Sequence, residues 1–309
     1  MSGAQGHGHG HDHASGLVDH RRRLAAVLAI TVTVLVVEVV GAIASGSLAL
    51  LADAGHMLTD VAGLTMAMVA ATLARRPATP FRTWGFLRAE IVGAAAQAML
   101  LLAVGVFILV ESVQRLLEPP EITSTVMVVF GIVGLVGNAI GMAVLAGSRS
   151  ADLNMRAAFL EVANDALGSV AVIVAAVVIA TTGFTRADAF ASLVIVALIV
   201  PRTVRLLREA VHVLMESTPP GLDLVAVRKS ILALPHVRDV HDLHATQVAT
   251  GMPVLTAHLV VDDTCFRDSH TLQLLDAVQR RLRDDFAIEH STIQFEGPAH
   301  GGHEYPTHA

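Results

Sequence analysis

Five runs of apolar residues, each long enough to cross a lipid bilayer, constrain this chain more than any other feature. They cover Leu24 to Ala44, Leu48 to Leu73, Ile91 to Val113, Thr123 to Leu145 and Ala157 to Thr182. A helix of about 20 apolar residues matches the hydrocarbon core. With no water there to satisfy backbone N–H and C=O groups, such runs must be helical. A sixth run, Ala189 to Val200, is short and meets Pro201, so it reaches both interfaces only if Arg202 and Arg205 snorkel. The composition agrees: 16% of residues are charged, against about 25% in a soluble domain. One cysteine, Cys265, excludes a disulfide framework and a Cys-built zinc cluster. The basic residues after position 210 are scattered, which leaves no nucleic-acid footprint.

Charge asymmetry fixes the number of spans, because cytoplasmic flanks collect Lys and Arg. With six spans and both ends inside, the inner flanks hold Arg21, Arg22, Arg23, Arg75, Arg76, Arg82, Arg88, Arg149, Arg156, Arg202, Arg205 and Arg208, and the outer loops only Arg115 and Arg186. Before the spans, Gly6-His7-Gly8-His9-Gly10-His11-Asp12-His13 is too polar and glycine-rich to order itself by burial, and reads as a metal-collecting arm over residues 1–20. The membrane domain then covers 21–210. After Ser217-Thr218-Pro219-Pro220-Gly221 the composition turns soluble, and 211–297 reads as a cytoplasmic unit ordered helix, strand, strand, helix, strand. A disordered tail, 298–309, carries His300, His303 and His308. The fold class is a polytopic membrane protein of six transmembrane helices with a small α+β cytoplasmic domain.

Ionisable residues inside the spans are few, and such residues mark pathways or sites. His56 and Asp60 in the second span are four residues apart, on one helical face a turn from each other; Glu161 and Asp165 repeat the spacing in the fifth. Two helices each offering an i, i+4 pair bring four N or O donors to one point, the number that tetrahedral Zn²⁺ requires. Protons compete with metal for the same atoms, which makes exchange of one for the other a ready mechanism. The plainer alternative, separate polar groups paired with backbone or each other, suits one such pair better than two matched ones. Glu38, Asp53, Glu111 and Asn138 also lie at or near membrane depth. Asp53 reads either as a partner that orients His56 or as a cap or helix–helix hydrogen bond. Gly131, Gly134, Gly137 and Gly141 read as close-packing positions.

The run Ser45-Gly46-Ser47-Leu48-Ala49-Leu50-Leu51-Ala52-Asp53-Ala54-Gly55-His56-Met57-Leu58-Thr59-Asp60 resembles the second-span signature of the cation diffusion facilitators, the zinc-exporting transporters. Thr83-Trp84-Gly85-Phe86-Leu87-Arg88-Ala89-Glu90 resembles that family's entry to the third span, and Arg156 to Gly168 its fifth-span site. The similarity runs from about residue 17 to 297. It implies a homodimer of six-span subunits with a cytoplasmic ferredoxin-like domain, exporting Zn²⁺ and related ions such as Cd²⁺ and Co²⁺ by alternating access coupled to proton entry. The family's transport ligands carry over to His56, Asp60 and Asp165. Glu161 stands where the zinc-exporting branch usually has histidine, and three ionised carboxylates would leave the zinc-loaded site with one negative charge in excess. Glu161 is therefore expected to retain a proton in the loaded state or to carry an extra proton on the return step.

For the cytoplasmic domain the resemblance implies a regulatory metal site near the dimer interface. His241 and His258 match ligand positions, Glu296 stands where aspartate is often found, and Gln294 occupies a place that can be histidine, which weakens the site. His244 and His270 are further candidates. The family's loop cluster between the second and third spans has no match in Arg75 to Arg82. The loop that is histidine-rich in vesicular relatives is here Gly147-Ser148-Arg149-Ser150, which leaves its role to the N-terminal arm.

An intramembrane metallohydrolase would need a base beside an open metal position, as in His-Glu-x-x-His, and the chain has no such motif. A passive channel or a metal sensor would not need carboxylates that titrate. The expectation is thus a transporter in the cell membrane and not an enzyme, a proton-coupled antiporter for Zn²⁺ with both termini cytoplasmic. It has no cofactor, metal being cargo and regulatory ligand. Its partners are divalent cations, protons, the lipid bilayer and a second copy of the chain, with no nucleic acid. Zn²⁺, Cd²⁺, Co²⁺ and Fe²⁺ share oxygen and nitrogen preferences, so ligand types alone do not rank them.

Overall fold

The computed structural model describes residues 12–146, 153–267 and 270–300. Six long helices come first: α1 (Asp12–Ser45), α2 (Leu48–Ala74), α3 (Ala89–Leu117), α4 (Ser124–Ala146), α5 (Leu153–Thr182) and α6 (Arg186–Leu214). Each contains a stretch long and apolar enough to cross a membrane. α1 opens at Asp12, inside the stretch that composition assigned to the arm, because extending a formed helix costs little compared with nucleating one. His7, His9 and His11, and His303 and His308 of the tail, lie outside the described residues. So does the loop Gly147-Ser148-Arg149-Ser150.

The sixth span is longer than its apolar run. α6 continues through Pro201 to Leu214, and the Thr203 hydroxyl donates to the Ile199 carbonyl at 3.0 Å beside the proline. Bundle neighbours and local hydroxyls make such prolines tolerable in membrane helices.

By internal contacts the chain divides into two compact units, Met1–Thr65 with Ala96–Arg205, and Met66–Ala95 with Leu206–Ala309. In the first unit, glycines let helices approach closely. A Cβ on Gly131 would meet Ile173 and Val172 of α5 at 3.0 and 3.1 Å; one on Gly137 would lie 2.3 Å from Val34 of α1, and one on Gly141 3.1 Å from Val162 of α5. Leu48, Leu50, Ile108, Met127, Val172 and Ile195 fill the core between the helices. Val32, Val36, Val40, Phe107, Val110 and Leu198 are exposed, as lipid-facing residues are.

The start of α2 is fixed from across the bundle. The buried Asp188 carboxylate of α6 accepts hydrogen bonds from Ser47 Oγ at 2.5 Å, Leu48 N at 2.7 Å and Ala49 N at 3.1 Å. These are first-turn donors that the helix cannot satisfy itself, and a carboxylate suits the positive end of the helix dipole. His56 and Asp60 lie two and three turns further along the same helix.

The second unit carries the soluble fold: α7 (Leu224–Leu232), β1 (Val237–Ala249), β2 (Met252–Val261), α8 (Asp263–Arg267), α9 (Thr271–Phe286) and β3 (His290–Glu296). Asp223 caps α7, accepting from Val225 N at 2.8 Å and Ala226 N at 3.3 Å. β1 and β2 form an antiparallel hairpin closed by Thr250-Gly251, with Gly251 at φ +73, a left-handed backbone that glycine adopts without strain. β2 and β3 run parallel, so the intervening α9 must cross over. Leu274, Val278 and Leu282, spaced by four, bury one face of α9 against Val227, Ile231, Leu255 and Leu259. The order matches the expected helix, strand, strand, helix, strand, with the one-turn α8 added and β1 continuing six residues past Leu243. Within this unit Arg88 Nη2 donates to Glu216 Oε1 at 2.8 Å and Thr250 Oγ1 to Glu90 Oε1 at 3.1 Å. The Trp84 and His290 rings meet edge-on, 4.9 Å between centroids.

Candidate functional site

In the first unit α2 and α5 bring three donors together. His56 Nε2 lies 3.4 Å from Asp60 Oδ2 and 3.6 Å from Asp165 Oδ1, and the ligand atoms of all three are within 4.8 Å of one another. His56 and Asp165 are buried, and Asp60 is nearly so. His56 Nδ1, Asp60 Oδ2 and Asp165 Oδ1 are buried without a hydrogen-bond partner. Orphaned polar atoms are costly, and a cation held by His56 Nε2 would satisfy the two carboxylate oxygens that face it. A cavity of about 80 Å³ opens beside them, lined by Asp53, His56, Asn164, Gly168, Leu198 and Arg202 among others.

Glu161, the expected fourth donor, is not one of the three converging donors, although it lies within hydrogen-bond reach of Asp60. Glu161 Oε2 accepts a hydrogen bond from Arg202 Nη2 of α6 at 2.5 Å. Arg202, read from the sequence as a snorkelling flank, turns toward the site instead, because Pro201 does not end α6 and one further residue of helix carries the guanidinium to α5. It supplies the balancing charge for which the sequence alone offered only a proton on Glu161. Of the two readings of Asp53, the helix–helix hydrogen bond is the one observed: Ser169 Oγ of α5 donates to it at 3.4 Å, while His56 Nδ1 has no hydrogen-bond partner to orient it.

A second group forms in the C-terminal sheet. Register sets His241 opposite His258, and His258 opposite Gln294, two residues before Glu296. His241 Nε2 is 3.3 Å from Glu296 Oε2, and His258 Nδ1 is 2.8 Å from Glu296 Oε1; Glu296 is buried. Gln294 Nε2 donates to Glu296 Oε1 at 2.8 Å, so it supports the carboxylate. A bulge in β1 between His241 and His244 turns Asp242 inward at φ +47. Asp242 reaches His244 Nε2 at 2.9 Å and His258 Nε2 at 3.7 Å. His270 stands at the start of α9 and is not in the group.

Two separate sets of N and O donors, one between membrane helices and one in a sheet, are the geometry of a protein that handles metal ions. The family model of the cation efflux transmembrane domain matches residues 24–215, and that of the cation efflux protein cytoplasmic domain matches 219–298. The chain belongs to the cation diffusion facilitator, or cation efflux, family. This cation efflux protein is 44% identical over 277 residues to the metal cation efflux system protein CzcD of Cupriavidus metallidurans, covering 90% of this chain and 87% of that protein. It is 39% identical over 286 residues to the zinc transporter ZitB of Escherichia coli, covering 92% and 90%. A Bacillus subtilis relative named cadmium, cobalt and zinc/H(+)-K(+) antiporter is 34% identical over 268 residues, covering 86% of each chain. The two family models meet between residues 215 and 219, where the change in composition and the prolines Pro219 and Pro220 mark the boundary.

Sequence reasoning missed Arg202 and Asp242 in this cation efflux protein. A signal existed for the first, since Arg202 follows a membrane-depth proline. None existed for the second, because nothing in the local sequence announces the bulge.

Proposed function

We propose that the protein exports Zn²⁺, and with it Cd²⁺ and Co²⁺, from the cytoplasm across the cell membrane in exchange for protons, by alternating access at a site built by His56, Asp60, Glu161 and Asp165. The observation that carries this reading is the convergence of His56, Asp60 and Asp165 with buried, unpartnered ligand atoms. One nitrogen and carboxylate oxygens at this spacing suit a tetrahedral dication. Glu161, one turn from Asp165 on α5, closes the shell by leaving Arg202 as metal arrives. The loaded site is then neutral: three carboxylates against the dication and the guanidinium. Since protons and metal compete for the same lone pairs, protons entering from outside displace the cargo. The names of the relatives support metal export, and the Bacillus subtilis name supports proton exchange. The arginine asymmetry supports cytoplasmic termini.

In the same reading two subunits pair through their C-terminal domains, and His241, His258 and Glu296 bind cytoplasmic metal that favours the paired, inward-loaded state, fed by the histidine-rich arm. Equilibrium zinc titration of the purified full chain tests the transport site. Asp60→Ala and Asp165→Ala each remove one zinc-binding site and leave the sheet site filled. Full wild-type zinc occupancy in both variants would contradict the assignment.

A further inference from the structure

Beyond the metal donors lies a buried carboxylate pair. Glu38 of α1 is 0% exposed and Asp53 of α2 is 2% exposed. The two are within hydrogen-bond reach of each other, and neither Glu38 oxygen has a donor. Asp53 Oδ2 meets Ser169 Oγ of α5 at 3.4 Å, and Asn138 Nδ2 of α4 donates to Ser169 Oγ at 3.3 Å. Missing side chains make the room: a Cβ on Gly134 would lie 2.5 Å from Glu38 Oε1, and one on Gly168 2.5 Å from Asp53 Oδ1. Glu38 therefore faces Asp53 from α2, the Gly134 notch from α4, and Ser169 with the charge of Asp165 from α5. Among the described residues no Lys, Arg or His forms an ion pair with Glu38 or Asp53.

Two ionised carboxylates cannot share such a place without a positive charge. A hard metal cation would need six or more oxygens, and the two glycine notches are already filled by the carboxylates themselves. A proton needs only one oxygen to carry it and one to accept its hydrogen bond.

We infer that Glu38 holds a proton of the exchange cycle, donating it to Asp53, and releases it when metal binds at His56, Asp60 and Asp165. The inference rests on the transport reading above and adds a proton to any that the metal donors themselves exchange. On metal binding the Glu38 O–H bond breaks and its proton passes to cytoplasmic water, because the two positive charges added beside Asp165 relieve the negative charge that held the proton on Glu38. When metal leaves outward, a proton from outside water re-forms the bond. Asp165 carries the coupling, because its charge acts on both Glu38 and Asp53. Metal and proton then oppose each other by the same factor in both directions.

The test is the number of protons released per Zn²⁺ bound, measured by titration calorimetry of the full chain at neutral pH in buffers of different ionisation heat, with K⁺ replaced by a large organic cation in a parallel series. Glu38→Gln, which keeps the shape and a donor for Asp53, should bind zinc and release one proton fewer than wild type, with or without K⁺. Glu38→Asp should restore that proton, which a merely structural role would not do. Unchanged release in Glu38→Gln would overturn the inference. So would loss of zinc binding in that variant, or zinc affinity that depends on K⁺ only when Glu38 is present. Asp60→Ala serves as the separate control: if it alters neither zinc occupancy nor proton release, the transport reading fails, whatever Glu38 does.

Discussion

Arg202 Nη2 lies 2.5 Å from Glu161 Oε2, so a cation from α6 occupies the carboxylate that α5 would offer to metal. The guanidinium and the cargo compete for one partner. Arg202→Gln frees Glu161 and leaves the site more negative, so zinc binds tighter, by about tenfold or ~1.4 kcal/mol, and is released more slowly. Zinc titration and single-turnover release in vesicles check both halves. Affinity equal to or weaker than wild type would mean that Arg202 does not compete.

Asp188 holds the start of α2 through three donors. Asp188→Ala leaves Leu48 N and Ala49 N buried and unpaired and should cost about 3 kcal/mol, read as a lower melting temperature in detergent. Because α2 carries His56 and Asp60, weaker zinc binding should accompany it.

The convergence of His56, Asp60 and Asp165 was legible because i, i+4 spacing on a helix is geometry that any sequence shows, and the two helices had few other ionisable groups. The C-terminal elements were legible from the four-residue recurrence of Leu274, Val278 and Leu282 and from strand-forming runs. What the sequence hid depends on contacts between distant segments. The Arg202 pairing is set by how α6 packs on α5, the Asp188 cap joins residues 140 positions apart, and Asp242 enters the sheet site through a bulge that only strand register reveals. Charge alone reads Arg202 as a flank, since span-end arginines usually snorkel.

At the far end of the chain, Asp262 accepts from Arg238 Nε at 2.5 Å and faces His236 Nδ1 at 3.2 Å. The Arg238 hydrogen bond first, then that of His236, holds its carboxyl below the usual aspartate range. A folded-state value below the unfolded one stabilises the fold above about pH 4 and loses that contribution as pH falls through the lower value. Asp262→Asn should therefore flatten the acid limb of a stability profile and leave stability near neutral pH slightly lower, the pair being exposed. Wild-type and variant denaturation between pH 2 and 7 checks it. Parallel profiles would show that the pair contributes nothing.

Zn²⁺ and proton flux in reconstituted vesicles under an imposed pH gradient, with wild type beside Asp60→Ala, tests the central claim most directly. Zinc movement that follows the gradient, proton movement opposite to it, and loss of both in Asp60→Ala is the result expected of a proton-coupled exporter working through this site. Zinc flux indifferent to the gradient, or an Asp60→Ala variant that transports as wild type does, would contradict it.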